Sequence, residues 1–170
     1  MAKKTAQKPT KKEKAAMVAR LLELYPDAGP ELTFNSEYEL LVAVILSAQC
    51  TDLRVNEVTK VLFKLAPSPE AMTRLSLGEL EEIIRPCGLF HTKAKNILTM
   101  SQTLISQYGG SVPETLEALM ALPGVGRKTA NVVVSNAFGV PAIAVDTHVF
   151  RVSARLGLAS GQNVDKTEQE

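Results

Sequence analysis

Lys128 carries the sharpest chemical signal in the chain. It lies in Leu122-Pro123-Gly124-Val125-Gly126-Arg127-Lys128-Thr129-Ala130, a stretch that reads as a tight glycine turn between two helices. Gly124 and Gly126 can take positive φ and let a foreign backbone come close. The turn feeds a helix whose first amides have no partner within the helix. Such an N-terminus attracts anions, and a phosphate fits there. Lys128 sits in the first turn of that helix, where a cation is electrostatically disfavoured. That makes it a candidate for a lowered pKa and for amine nucleophilicity. The same turn is also consistent with a plain helix connection and a solvated lysine.

Residues at three further places extend the pattern. Asp146, in Val145-Asp146-Thr147-His148, opens the next helix, and capping alone explains it. The helix between the two motifs is about 18 Å long, and the seven-residue link after it spans about 23 Å at most. The chain can therefore fold back and bring Asp146 beside Lys128, where a carboxylate could steer the amine's proton or stabilise a cationic intermediate. Gln49 lies in Ser47-Ala48-Gln49-Cys50-Thr51-Asp52, a polar tip on an apolar helix. An amide there is well placed to read or replace a base edge. Leu89 and Phe90 follow Gly88 in a turn. They either tuck into the core or form a wedge of the kind that enters a base stack.

The elements that must hold these residues are helical. A first helix runs from about Lys12 to Tyr25, with Val18, Leu21, Leu22 and Tyr25 on one apolar face. Capping boxes are expected at Ser36/Glu39, Ser76/Glu79 and Ser111/Glu114. Leu40–Leu46 is apolar nearly all round, so this helix should be central. Thr51 or Asp52 caps the next helix, lined by Val55, Val58, Leu62 and Leu65. Ser68 and Pro69 start a short helix, and the helix after Ser76 stops before Pro86. A longer helix, Thr92 to Tyr108, presents Ala94, Ile97, Leu98, Ser101, Ile105 and Tyr108 at helical spacing. Lys93 and Lys95 read as its solvated face. Gly109-Gly110 ends it. Leu116, Leu119 and Met120 mark a short helix before the glycine turn, and Ala130, Val133, Val134 and Ala137 mark the buried side of the one after it. Val149, Val152 and Leu156 mark the last. No strand pattern or repeat emerges, so the expectation is an all-α chain of nine or ten helices.

Bulk properties bound the function. A chain of 170 residues with 45% hydrophobic content suits one compact domain or two small lobes. Net charge is +1, but residues 1–14 carry +5, leaving about −4 on the remainder. A nucleic-acid face on the body must therefore be a local patch, and residues 1–11 read as a disordered basic arm. Cys50 and Cys87 make neither a disulfide scaffold nor a metal-ligand spacing. With only His91 besides it, His148 reads as a packing or hydrogen-bonding residue. No secretory h-region and no membrane-length apolar run is present. The expectation is a soluble, intracellular protein.

Taken together, the motifs resemble the endonuclease III family of helix–hairpin–helix DNA glycosylases. The match covers the turn from Leu122 to Ala130, Val145–Arg151 beginning just before Asp146, Leu46-Ser47-Ala48-Gln49, and Gly88-Leu89. The resemblance implies two helical lobes with a DNA cleft, and a bifunctional, monomeric enzyme acting on oxidised pyrimidines and abasic sites in duplex DNA. Lys128 matches the lysine that attacks C1′ and forms a Schiff base before β-elimination, and Asp146 the aspartate that assists it. Leu122, Gly124, Val125, Gly126, Arg127 and Thr129 fall in the phosphate-gripping hairpin. Gln49 and Leu89 match residues that fill the gap left by a flipped nucleotide. Residues 35–136 correspond to the six-helix lobe. Residues 12–34 and 137–170 correspond to parts of the second lobe, which looks truncated before its iron–sulfur ligands. The family's [4Fe-4S] cluster needs four cysteines that are absent here, so none is expected to bind.

Overall fold

The computed structural model describes residues 9–170. Among the described residues there is no strand. The chain divides into two compact units, Pro30–Ile143 and the described part of Met1–Gly29 with Ala144–Glu170.

The larger unit is organised around α2 (Glu37–Ser47). Tyr38 to Leu46 are all buried, as an apolar surface on every side requires. Each large aliphatic side chain so enclosed contributes roughly 1.5–3 kcal/mol relative to exposure. Around it pack α3 (Asp52–Leu65), α6 (Phe90–Tyr108) and α8 (Arg127–Ala137). The short helices α4 (Pro69–Met72) and α5 (Leu77–Ile84) lean on α6, and α7 (Leu116–Met120) on α8. A single 3-10 turn, Arg85–Cys87, joins α5 to α6 because Pro86 cannot continue the α-helical ladder.

Local signals mostly act as their chemistry predicts. Ser76 and Glu79 form a full capping box. At Ser36 only half of one forms: the Ser36 hydroxyl accepts from Glu39 N, but Glu39 Oε2 accepts instead from Asn35 N at 2.7 Å and Asn35 Nδ2 at 3.0 Å. The box expected at Ser111/Glu114 does not form. Pro113 favours extended backbone before it, and Thr115 caps α7 by accepting from Ala118 N at 3.3 Å. Thr51, not Asp52, is the N-cap of α3. Val55, Val58 and Leu62 bury, whereas Leu65 stays exposed.

The smaller unit holds α1 (Lys11–Leu24), α9 (Thr147–Leu156) and α10 (Val164–Gln169). The capping box of α1 is Thr10 with Glu13, beyond the three that the sequence leads one to expect. Residues 1–8 of the basic arm lie outside the described residues, while Lys11 already belongs to α1. Lys14 Nζ donates to Leu158 O at 2.6 Å, tying α1 to the turn after α9. The apolar face expected on α1 has the right spacing, yet Val18, Leu22 and Tyr25 stand exposed. No described helix is long and apolar enough to cross a membrane.

Candidate nucleic-acid interface

The hairpin begins where α7 ends. Leu122 N donates to Leu119 O, and Val125 N donates to Leu122 O at 3.1 Å, closing a four-residue turn. Pro123 and Gly124 occupy its centre, and Gly124 takes φ +79. This is the type II geometry that a Pro-Gly pair favours. Gly126 differs from expectation: it is the N-cap of α8 in extended backbone, φ −90, and uses no positive φ. Being glycine, Gly126 brings no side chain of its own to cap this helix. The first amides of an α-helix lie outside its own ladder, and a helix N-terminus favours an anion. Leu122 and Val125 bury their side chains in the core, so they offer the hairpin surface only backbone, while Gly124, Gly126 and Arg127 are exposed.

Lys128, on the first turn of α8, is exposed. It lines a cleft of about 520 Å³ together with Gln49, Ser47, Asp52, Thr129 and Asn136. The structure thus brings Lys128, Thr129 and Gln49 to one recess of the larger unit. Asp52 joins them, a cleft carboxylate whose place in the sequence suggests capping alone.

Gln49 reaches that recess from a second turn. Cys50 N donates to Ser47 O at 3.0 Å, Ala48 has φ −56 and ψ 112, and Gln49 takes φ +54. A type II turn normally places glycine or asparagine at that position. Leu89 sits on a third turn, after Gly88, with φ +48 and 60% exposure. Among the described residues, Gln49 and Leu89 are the non-glycine residues with positive φ. Such backbone costs of order 1–3 kcal/mol and concentrates at functional sites.

Asp146 belongs to the smaller unit, at the N-cap of α9. Its Oδ1 accepts from His148 N at 2.9 Å and from Val149 N at 2.8 Å. Capping is therefore one established job of this carboxylate. His148 is exposed and lies within 3.5 Å of the Arg151 guanidinium.

The residues do not fit an iron–sulfur cluster. The sequence holds two cysteines, against the four thiolates a [4Fe-4S] cluster takes. Among the described residues no group of three or more His, Cys, Asp or Glu could hold a metal ion. Cys50 and Cys87 stand close enough to interact, and burial first, then the neighbouring Cys50 thiol, pushes the Cys87 thiol up to about 11.

One residue behind the site departs from its expected place. Lys93, expected on a solvated face, is 4% exposed. Its Nζ donates to Leu46 O and to Cys87 O, both at 2.8 Å. The spacing holds a clue: Lys93 lies four residues before the core residue Ile97, in register with Met100 and Leu104.

Comparison with known proteins agrees with this architecture. Residues 42–170 match the family described as HhH-GPD superfamily base excision DNA repair protein. The chain is 50% identical over 160 residues to Endonuclease III of Haemophilus influenzae, covering 94% of this chain and 76% of that protein. It is 57% identical over 136 residues to Endonuclease III of Bacillus subtilis, covering 80% of this chain and 62% of that protein. A solved structure described as a trapped Endonuclease III–DNA covalent intermediate superimposes with a TM-score of 0.88 at 51% identity, over 95% of this chain and 76% of that one. A thermostable thymine-DNA glycosylase superimposes with a TM-score of 0.82 at 26% identity, over 93% and 78%. With the hairpin, its lysine and the all-helical architecture already in place, these similarities show that the chain belongs to the endonuclease III family within the HhH-GPD superfamily of base excision DNA repair proteins.

Proposed function

We propose that the chain recognises duplex DNA at oxidised-pyrimidine and abasic sites, gripping a backbone phosphate at the α7–α8 hairpin and admitting the altered nucleotide to the Lys128 cleft. One observation carries the reading: an exposed amine in the first turn of α8, just after its glycine N-cap, shares a recess with the amide of Gln49. A recess of about 520 Å³ is of the size that takes small ligands, and chemistry on a base requires extruding it from the stack. In this reading Gln49 and Leu89 occupy the vacated space. The protein acts as a monomer on DNA in the bacterial cytoplasm, at the nucleoid.

The catalytic half of the proposal assigns Lys128 as nucleophile. The neutral amine attacks C1′, and the glycosidic C–N bond breaks with its electron pair departing on the base. Opening of the sugar ring gives a protonated imine. Loss of a 2′ proton then expels the 3′ oxygen with its phosphate. Asp146 is assigned to take up the proton the amine gives away. The trapped covalent intermediate of the similar Endonuclease III with DNA supports this assignment by analogy.

A second reading keeps the DNA binding and omits the catalysis. It is favoured by the cysteine count, which denies this chain the cluster of the family it resembles. The recognition half thus has the broader support. Borohydride trapping on an abasic-site duplex separates the two readings. A covalent adduct with the parent chain and none with Lys128→Ala supports lyase chemistry. No adduct with either, alongside a gel shift by both, supports the binding reading, and an adduct that persists in Lys128→Ala overturns the nucleophile assignment.

A further inference from the structure

The two strained turns are joined behind the surface by one side chain. Leu46 lies in the last turn of α2, three residues before Gln49, and Cys87 ends the 3-10 turn two residues before Leu89. Their carbonyls both accept from Lys93 Nζ, at 2.8 Å each. The backbone N–H of Lys93 in turn donates to Leu89 O at 3.1 Å, closing the first hydrogen-bonded turn of α6. Lys93 therefore holds the Leu89 turn from both its ends and the Gln49 turn from its root. The Cys50 and Cys87 thiols interact across the same junction. A buried ammonium is costly unless its donors are met, and burial draws the Lys93 pKa downward. A residue that costs this much to bury is poorly explained as packing, since an apolar chain of the same length would fill the space more cheaply.

We infer that Lys93 is a positioning residue whose ammonium clamps the end of α2 to the turn before α6, setting Gln49 and Leu89 in the left-handed conformations that present them to DNA. The inference rests on the proposed recognition of a flipped-out or missing nucleotide, because that is the step in which these two side chains fill a gap. Two turns pinned to a common cation move together. The gap-filling pair is thus pre-assembled before DNA arrives, and less ordering is left to be done on binding. The phosphate grip of the hairpin does not pass through Lys93, so the clamp bears on discrimination between gapped and intact duplex, not on general DNA affinity.

The test compares affinity for a duplex carrying a tetrahydrofuran abasic analogue with affinity for the same duplex undamaged. It uses the full chain, with folding checked by circular dichroism. Lys93→Met keeps the length and removes the donors. The expected result is an affinity for undamaged duplex within a factor of about two of the parent and a loss of abasic preference of about tenfold. Adding Lys93→Met to a Gln49→Ala/Leu89→Ala background should lower the preference no further. A folded Lys93→Met that keeps the parental preference overturns the inference, even if its Tm falls, because a merely structural lysine would show that pattern. Should Lys93→Met not fold, Lys93→Gln keeps a neutral donor on a side chain one atom shorter. A folded Lys93→Gln is expected to show a partial loss, and parental preference there again overturns the inference. A parent chain with no preference for the abasic duplex overturns the proposed recognition itself and takes the Lys93 assignment with it.

Discussion

Asn96 closes the back of the hairpin turn at Gly124: a Cβ placed on Gly124 would stand 2.9 Å from Asn96 Cβ and 3.0 Å from its Nδ2. Gly124 also takes φ +79, where an L side chain is strained. Both effects oppose any side chain at this position. Gly124→Ala is expected to destabilise the larger unit by roughly 1–3 kcal/mol and to weaken duplex DNA binding, since the turn must open to relieve the contact. Urea unfolding and a gel shift on one preparation check this. Equal stability in the variant would mean that the turn has a second conformation open to it.

A second pair deep in α2 and α6 predicts an asymmetry. The Tyr38 hydroxyl and Ser101 Oγ lie 2.7 Å apart, and Ser101 spends its own proton on Ile97 O at 2.8 Å. Tyr38 must therefore be the donor. Tyr38→Phe removes a donor and leaves Ser101 still bonded to Ile97, so it should cost about 1 kcal/mol. Ser101→Ala strands a buried phenol without an acceptor and should cost more, roughly 1–3 kcal/mol. Denaturant midpoints of the two variants decide the order, and a larger loss in Tyr38→Phe would reverse the donor assignment.

The helices are legible in the sequence because hydrophobic spacing and end signals are local. Leu40–Leu46 could only be central, and Asp146 had a cap to make whatever else it does. The departures share a cause as well. Ser111-Val112-Pro113-Glu114 carries the capping-box letters, but the competing Thr115 one residue on decides where α7 begins. Left-handed backbone at Gln49 and Leu89 is invisible in residue types that ordinarily avoid it. Lys93 occupies a core position of the α6 stripe, yet a charge there reads as surface unless the carbonyls it will meet are known, and those come from two other segments. The hairpin turn, by contrast, announces itself through Pro123-Gly124, because the backbone it needs favours those residues.

The capping box at the head of α5 gives a pH prediction. Hydrogen bonds from the Ser76 hydroxyl and then from the Ser76 amide hold the Glu79 carboxyl below its ordinary 4.5. A carboxylate with a lowered folded pKa contributes stability that is fully present above the unfolded value and lost as pH falls through the folded one. Glu79→Ala should therefore be less stable than the parent at pH 6. The gap should close as the pH drops below 4.5. Urea midpoints taken from pH 6 to pH 3 read this directly, and a gap that stays constant with pH would assign the box's effect to neutral hydrogen bonding alone.

Asp146 offers the cleanest separation of structure from chemistry. Its Oδ1 caps α9 through His148 N and Val149 N, and asparagine caps about as well as aspartate. Asp146→Asn should therefore keep the cap of α9. If the carboxylate also takes up the Lys128 proton, the same variant should lose about a hundredfold in the single-turnover rate on an abasic duplex, the lower range for losing a general base. Asp146→Ala should lose both stability and rate. Stability and rate falling together in Asp146→Asn would point to a structural cause, and a parental rate in a stable Asp146→Asn would remove the proton-transfer role from this residue.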